Sequence, residues 1–382
     1  MRLIAVLSAA VLAALVVAAP AGAARRSVPA SFFGVNWDQE IAASGPGGLQ
    51  NQQFGRMAAA GAETVRGLFL WSTAQPDQNG PIDFSATDQL VGGAAAHHLT
   101  VLPIVVDSPL WARAFESSFS PPSNPQDYAA YLTALIGRYG PHGSFWRDNP
   151  RLPKVPVRAW QIWNEPNMSY QWSTPGSTED YAVRYTMLLR DSYQAIKRAD
   201  PGALVVLAGL ANTSPQDLAH LYDYGAKPYF DVAAIHPYTY TPAGVLTLTR
   251  EARQVMRRNG DNHKQLWVTE LGLPASRGVA QSSNSLQTTP AGMTRFLTNA
   301  YRLLAGNARR LGIGRVYWYT WASSYSSNAG PAIFDFSGLF KWTPGSPVVA
   351  REPAYAAYVR AARHWEGCVK TTMARCKRTR RH

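Results

Sequence analysis

From Phe32 onward, short apolar runs alternate with segments of helical periodicity, and no two strand-like runs follow one another without a helix-like segment between them. The strand-like runs are FFGVNW from Phe32, TVRGLFLW from Thr64, TVLPIVVD from Thr100, VRAWQIWNE from Val157, ALVVLAGL from Ala203, DVAAIHPY from Asp231, KQLWVTEL from Lys264 and RVYWYTW from Arg315. Between them, segments such as DYAAYLTALIGRYG and MTRFLTNAYRLLAGNARRLG carry apolar residues three and four apart, with Asp, Gly or Pro at their ends. Runs that are apolar on both parities, as in ALVVLAGL, suit parallel strands covered on both faces. Eight such strand–helix units closing on themselves predict an α/β fold, the (β/α)8 TIM barrel, as a single domain. A doubly wound open sheet is the competing architecture. It usually carries a glycine-rich phosphate turn after its first strand, and VNWDQEIAASGPGG has neither GxGxxG nor GK[ST] spacing.

The two ends of the chain read differently from this body. MRLIAVLSAAVLAALVVAAPAGA has one basic residue, Arg2, an apolar run too short for a membrane span, and small residues up to Ala23, the pattern of a secretory signal cut after Ala23. Residues 1–23 are therefore expected to be a signal peptide, residues 24–365 the barrel, and residues 366–382 a basic tail. The formal net charge of +13 is inflated by that tail, CVKTTMARCKRTRRH, so the body is only mildly basic and no nucleic acid partner is expected. The tail suits nonspecific attraction to an anionic cell-envelope polymer, or plain disorder. Both cysteines, Cys368 and Cys376, fall in it and are expected to form a structural disulfide after export. The expected product is a secreted or envelope-associated monomer without stable membrane insertion.

In a barrel of this kind, functional side chains stand at the carboxyl ends of the strands. The polar residues ending the runs are Asn36, Arg66, Asp107, Asn164 with Glu165, His236 with Tyr238, and Glu270, with Trp318 or Trp321 closing the last. Glu165 and Glu270 end strands four and seven. A single strand-end glutamate more often caps a helix or pairs with an arginine, but two of them across a barrel mouth fit glycosidic bond cleavage, one protonating the leaving oxygen and the other attacking or activating water. Two carboxylates about 5 to 5.5 Å apart do not readily hold two charges, so the one nearer a cation ionises first. Glu165, with no cation beside it in sequence, is the candidate for the protonated partner.

AWQIWNEPN followed by Trp172, then AAIHPY, then LWVTELG resemble the fourth, sixth and seventh strand ends of the clan A retaining glycoside hydrolases, the superfamily of (β/α)8 enzymes that includes families 5 and 39. The W-x-x-W-N-E-P-N pattern is nearest to the family 39 type, over nearly all of the mature chain apart from the tail. The resemblance implies that Glu165 is the general acid/base, Glu270 the nucleophile, Asn164 a contact to the sugar 2-hydroxyl, and Arg66 the cation that keeps the nucleophile ionised. It implies further that Tyr238 donates to Glu270, that His236 orients the acid/base side, and that Trp321, or failing it Trp318, forms the platform under the sugar. Asp107 stands where family 5 relatives often carry a histidine, which leaves its role open between a substrate contact and a helix cap. Trp37, Trp71, Trp111 and Trp172 follow strand ends, where each could stack on a pyranose face.

Other chemistries find little support. His97 and His98 are adjacent, so they lie on different helix faces, and no third ligand is spaced for them; no metal and no cofactor are expected. There is no GxSxG elbow, and the cysteines sit in the tail. Asn167-Met168-Ser169 and Asn212-Thr213-Ser214 match the glycosylation acceptor pattern; a glycan on Asn167 would stand beside Glu165, which argues for a source that does not add one. The expected function is that of a retaining O-glycoside hydrolase acting on an oligo- or polysaccharide. The alternative is a non-catalytic carbohydrate-binding or envelope-adhesion protein on the same barrel, which would have no need of both carboxylates. Neither the sugar nor endo versus exo action is legible.

Overall fold

The computed structural model describes residues 26–37, 48–280, 286–324, 333–342 and 349–367. The expected leader and the tail with Cys368 and Cys376 lie outside the described residues. All eight expected runs form strands: β1 (Phe33–Trp37), β2 (Thr64–Leu70), β3 (Thr100–Val106), β4 (Ala159–Ile162), β5 (Leu204–Val206, resuming at Leu210–Ala211), β6 (Val232–His236), β7 (Gln265–Leu271) and β8 (Ile313–Trp318). Each pairs in parallel with the next, and β8 pairs in parallel with β1, so the sheet closes into a barrel. One long helix follows each strand: α1 (Gly48–Ala60), α2 (Ser85–Ala96), α3 (Pro125–Tyr139), α4 (Tyr181–Ala199), α5 (Ser214–Asp223), α6 (Pro242–Arg258), α7 (Pro290–Leu311) and α8 (Pro353–Trp365). The single (β/α)8 barrel is the observed architecture. No helix among the described residues is long and apolar enough to cross a membrane.

The helix starts are written locally. Asn124, Asp180, Thr241 and Thr289 each accept a hydrogen bond from a backbone N–H of the first turn of α3, α4, α6 and α7, and α3, α6, α7 and α8 begin at proline, whose missing N–H costs nothing there. A three-stranded sheet, β9 (Ala322–Ser324), β10 (Phe340–Trp342) and β11 (Val349–Arg351), was not expected from the sequence; it sits between β8 and α8 in the chain.

Because strand side chains alternate, one parity of each strand fills the barrel interior. Leu102, Ala159, Val206, Val232, Ala234, Trp267 and Tyr317 make an apolar cluster there. Two residues further along β4, β6 and β7, the same parity supplies Gln161, His236 and Thr269, and β2 adds Arg66, two after the buried Thr64; all are buried and polar. The interior is thus an apolar floor beneath a polar layer, and that layer opens at the carboxyl ends of the strands.

Tyr317 needs a gap in β1 to fit. A Cβ on Gly34 would lie 2.4 Å from its Cδ1, and its hydroxyl is 3.1 Å from Thr64 Oγ1. Gly34→Ala is therefore expected to destabilise the fold by about 1–3 kcal/mol through overpacking, measurable as a lowered midpoint of urea unfolding with an unchanged slope.

Candidate active site

Arg66 organises the polar layer. Its guanidinium is 1% exposed and makes four hydrogen bonds of 2.7 Å: Nε to Gln161 Oε1, Nη1 to Asn36 Oδ1 and to Glu270 Oε1, and Nη2 to Asn164 Oδ1. Asn36 in turn donates from Nδ2 to the Thr269 carbonyl at 3.1 Å. One cation thereby fixes side chains from β1, β2, β4 and β7. Gln161 and Thr269 were not singled out in the sequence, although a polar residue at the interior parity of an apolar strand was the available signal.

Glu270 sits where the pairing of β7 with β8 shifts register, between Val268 and Leu271. Regular alternation would point it to the side opposite Thr269; an irregularity of this kind re-aims a side chain, and Glu270 faces the mouth, where Tyr238 donates to its Oε2 at 2.7 Å. Burial by itself would raise its pKa, but the electrostatic pull of His236 and Arg66, with hydrogen bonds from Tyr238 and Arg66, holds the carboxyl below its ordinary 4.5. Burial and the neighbouring Glu270 charge push the Tyr238 phenol well above its usual range, so it stays a donor.

Glu165 follows β4 in a turn with left-handed backbone, at Trp163 (φ 66°) and again at Glu165 itself (φ 42°). Non-glycine residues hold such angles only where the surroundings impose them. Three bonds do so here: the Glu165 N–H donates to the Gly209 carbonyl at 3.1 Å, Trp163 Nε1 donates to the Gln171 carbonyl at 2.6 Å, and Met168 N donates to the Glu165 carbonyl at 2.9 Å. His236 Nδ1 lies 2.6 Å from Glu165 Oε1, and its Nε2 lies 2.9 Å from Thr269 Oγ1. Gly209 has to be glycine for this packing, since a Cβ there would fall 1.9 Å from His236 Nε2. Tyr170, which the sequence did not mark, donates to Glu165 Oε2 at 3.2 Å while remaining 60% exposed.

Oxygens of Glu165 and Glu270 and a ring nitrogen of His236 all lie within 4.8 Å of one another. By distance a metal ion could bridge them. The Glu270 oxygen that would ligate it is already bonded to a buried guanidinium, so a divalent cation would stand against Arg66; the electrostatics favour a carboxylate pair in which Glu270 is ionised. Both carboxylates, with Asn36, Arg66, Asn164 and Tyr238, line a cavity of about 450 Å³, within the range of ligand-binding clefts. His236 is fully buried behind it, with Nδ1 2.6 Å from Glu165 Oε1 and 3.6 Å from Glu270 Oε1.

The tryptophans are corrected. Trp318 lies on the parity opposite Tyr317 and Tyr319, so its ring packs outward on Phe296 of α7 and donates to the Ser337 carbonyl. Trp321 is fully buried against Phe340 and Tyr355 and donates to Gln53 Oε1. Neither lines the cavity. Tyr319, joined to Thr320 by a cis peptide bond, lines it instead at the end of β8. Trp172 and Trp111 are also not platforms. With Trp71, Tyr128, Trp163 and Tyr185 they form a chain of ring contacts 5.2–6.2 Å apart under the loops after β2, β3 and β4. Of the tryptophans after strand ends, Trp37 does line the cavity. Asp107 neither caps a helix nor lines the cavity: it accepts from Ser72 Oγ, from the Phe119 N–H at 3.2 Å and from Arg113 Nη2 at 3.4 Å.

No protein-family model matches the chain. No curated protein matches it either. Solved structures do. A family 39 glycoside hydrolase from the gut symbiont Bacteroides cellulosilyticus WH2 superposes with a TM-score of 0.65 at 18% identity, over 88% of this chain and 64% of that one. The fold is that of the family 39 and GH5_18 glycoside hydrolase barrels. A GH5_18 protein from Streptomyces cattleya, solved in complex with GlcNAc, gives 0.64 at 18% identity over 90% and 81% of the two chains. A monomeric beta-xylosidase from Caulobacter crescentus CB15 gives 0.60 at 18% over 88% and 69%. The chain therefore spans just under two thirds of the length of the first of these.

The depressed pKa of Glu270 links to stability. A carboxyl whose folded pKa lies below its unfolded value stabilises the fold fully above the unfolded value and loses that contribution as pH falls through the folded one. Thermal melts between neutral pH and pH 3 are expected to show wild-type stability falling more steeply below about 4.5 than that of Glu270→Gln, which has no proton to take up there.

Proposed function

We propose that the chain is a retaining O-glycoside hydrolase that cleaves an oligo- or polysaccharide by double displacement. The observation that carries the reading is the facing pair: Glu270, ionised and held by Arg66 and Tyr238, opposite Glu165, held by His236, with an oxygen of each carboxylate within 4.8 Å of the other. That spacing favours direct attack by Glu270 over a water placed between the carboxylates, which needs about 6.5–9.5 Å.

In this mechanism Glu165 protonates the leaving oxygen while Glu270 attacks the anomeric carbon. The aglycone departs as an alcohol and a glycosyl ester forms on Glu270. Esterification removes the Glu270 charge, so the now ionised Glu165 can take a proton from water as that water attacks the same carbon, releasing the sugar with its original configuration and restoring both carboxyls. Asn164, fixed by Arg66, is placed to hold a sugar hydroxyl as positive charge develops on the ring.

A panel of 4-nitrophenyl glycosides covering both anomers of xylose, glucose, galactose, mannose and arabinose tests this. Glu270→Ala is expected to lose on the order of 10⁴-fold or more in kcat, and Glu165→Ala roughly 10²–10⁴-fold. Activity that survives both substitutions overturns the assignment, binding of oligosaccharide without turnover favours the carbohydrate-binding alternative, and an inverted first-formed anomer by NMR removes Glu270 as nucleophile.

We read the chain as exported, on its N-terminal sequence, and its basic tail as suited to an anionic envelope polymer. Mass spectrometry of the secreted protein is expected to find Ala24 as the first residue; an intact leader would contradict export by this route.

A further inference from the structure

The cavity wall mixes polar and apolar groups. Around Glu270 stand groups able to hold sugar hydroxyls, Asn36, Arg66, Asn164, Tyr238 and Tyr319, with the Phe334 ring packed against the two tyrosines. On the Glu165 side the wall is made by Phe119, Met168 and the ring of Tyr170, with Gln171 and Asn212 as its polar members and no charged side chain other than Glu165 among the described lining residues.

Phe119 is held there against its own preference. It is a bulky residue with φ 55°, in the left-handed region, and two bonds impose that backbone: its N–H donates to Asp107 Oδ1 at 3.2 Å, and its carbonyl accepts from Ser173 N at 3.1 Å. Ser117 Oγ, 2.6 Å from Ser173 Oγ, adds a second tie between the loops after β3 and β4. Asp107, itself at φ 62°, is thus the residue through which the end of β3 aims Phe119 into the cavity.

The oxygen of Glu165 that delivers the proton is fixed by the same geometry. Oε1 is taken by His236 from behind, and Oε2 is met by the Tyr170 hydroxyl, so the leaving oxygen approaches Oε2 beside Tyr170. Phe119 and Met168 share that side of the cavity.

We propose that Phe119, Met168 and Tyr170 form the leaving-group subsite, and that it takes an aglycone with a flat apolar face, of the benzyl or aryl class, with Asp107 acting as a positioning residue for Phe119. This rests on Glu165 being the general acid. A hydrated sugar in the same place would leave hydroxyls against Phe119 and Met168 with few partners, whereas an aromatic ring loses no hydrogen bonds there.

The test uses one glycone carrying four leaving groups: fluoride, which needs neither protonation nor bulk, then methanol, benzyl alcohol and a second sugar. Xylosides, glucosides and mannosides are the probes. In wild type the benzyl glycoside is expected to exceed both the methyl glycoside and the disaccharide in kcat/KM by about tenfold or more, a typical gain for filling an apolar pocket. Phe119→Ala and Asp107→Ala are expected to erase most of that advantage, mainly through KM, while fluoride hydrolysis stays within about twofold, since fluoride has no group to occupy the subsite. Equal losses on fluoride and benzyl substrates, an unchanged benzyl-to-methyl ratio, or a wild-type preference for the disaccharide overturns the proposal. If no fluoride or glycoside is hydrolysed, the hydrolase reading fails separately, and saturation-transfer NMR of the benzyl glycosides decides the subsite: transfer to the aromatic protons in wild type and not in Phe119→Ala supports it, and no transfer in wild type overturns it.

Discussion

A single buried guanidinium holds the upper barrel together. A cation at the position of Arg66 is costly to desolvate, and the cost is offset only if its donors are matched and its charge is paired. Here Nε and both terminal nitrogens are engaged, and the pairing carboxylate is Glu270. Removing either partner of a buried pair commonly costs about 3–5 kcal/mol. The same bonds that satisfy Arg66 set the rotamers of Asn36, Asn164 and Glu270, so the stability of the polar layer and the shape of the cavity follow from one set of contacts.

Opposite that ordered layer, the loops after β3 and β4 carry strain. Asp107, Phe119, Trp163 and Glu165 all adopt positive φ without being glycine. Each is held by backbone hydrogen bonds or packing from a neighbouring loop, and the ring contacts from Trp71 to Tyr185 stiffen the layer beneath. A rigid cation-centred half and a strained half meet across the two glutamates: Glu270 is bonded by Arg66 at Oε1 and Tyr238 at Oε2, Glu165 by His236 at Oε1 and Tyr170 at Oε2, so both carboxylates are held before any ligand arrives.

Much of this was legible in the sequence because strand alternation and strand ends are periodic properties. The eight runs, the closed barrel, and the presence of Asn36, Arg66, Asn164, Glu165, Tyr238 and Glu270 around one cavity could be read from spacing. The tryptophans could not be sorted that way, because an indole suits a buried aromatic layer as well as a sugar face, and their identity carries no direction. Parity did carry it for strand eight: Tyr317 faces inward, so Tyr319 rather than Trp318 was the residue to choose. Phe119 and Tyr170 left no such trace: a non-glycine residue in a left-handed turn, as Phe119 is, has no sequence signature, and Tyr170 lies in the loop after β4, where no strand alternation places it.

The strand ends beside Glu165 are finished by tyrosines from the helices. Tyr128 of α3 donates to the Val105 carbonyl at 2.6 Å, and Tyr185 of α4 donates to the Ile162 carbonyl at 2.9 Å and accepts from Ala208 N at 2.7 Å. Backbone groups that loops would otherwise have to satisfy are satisfied by the scaffold itself. These backbone groups would keep their partners if the outer tips of the loops after β3 and β4 were exchanged, so the tips can vary above a barrel whose strand ends stay capped by its own helices.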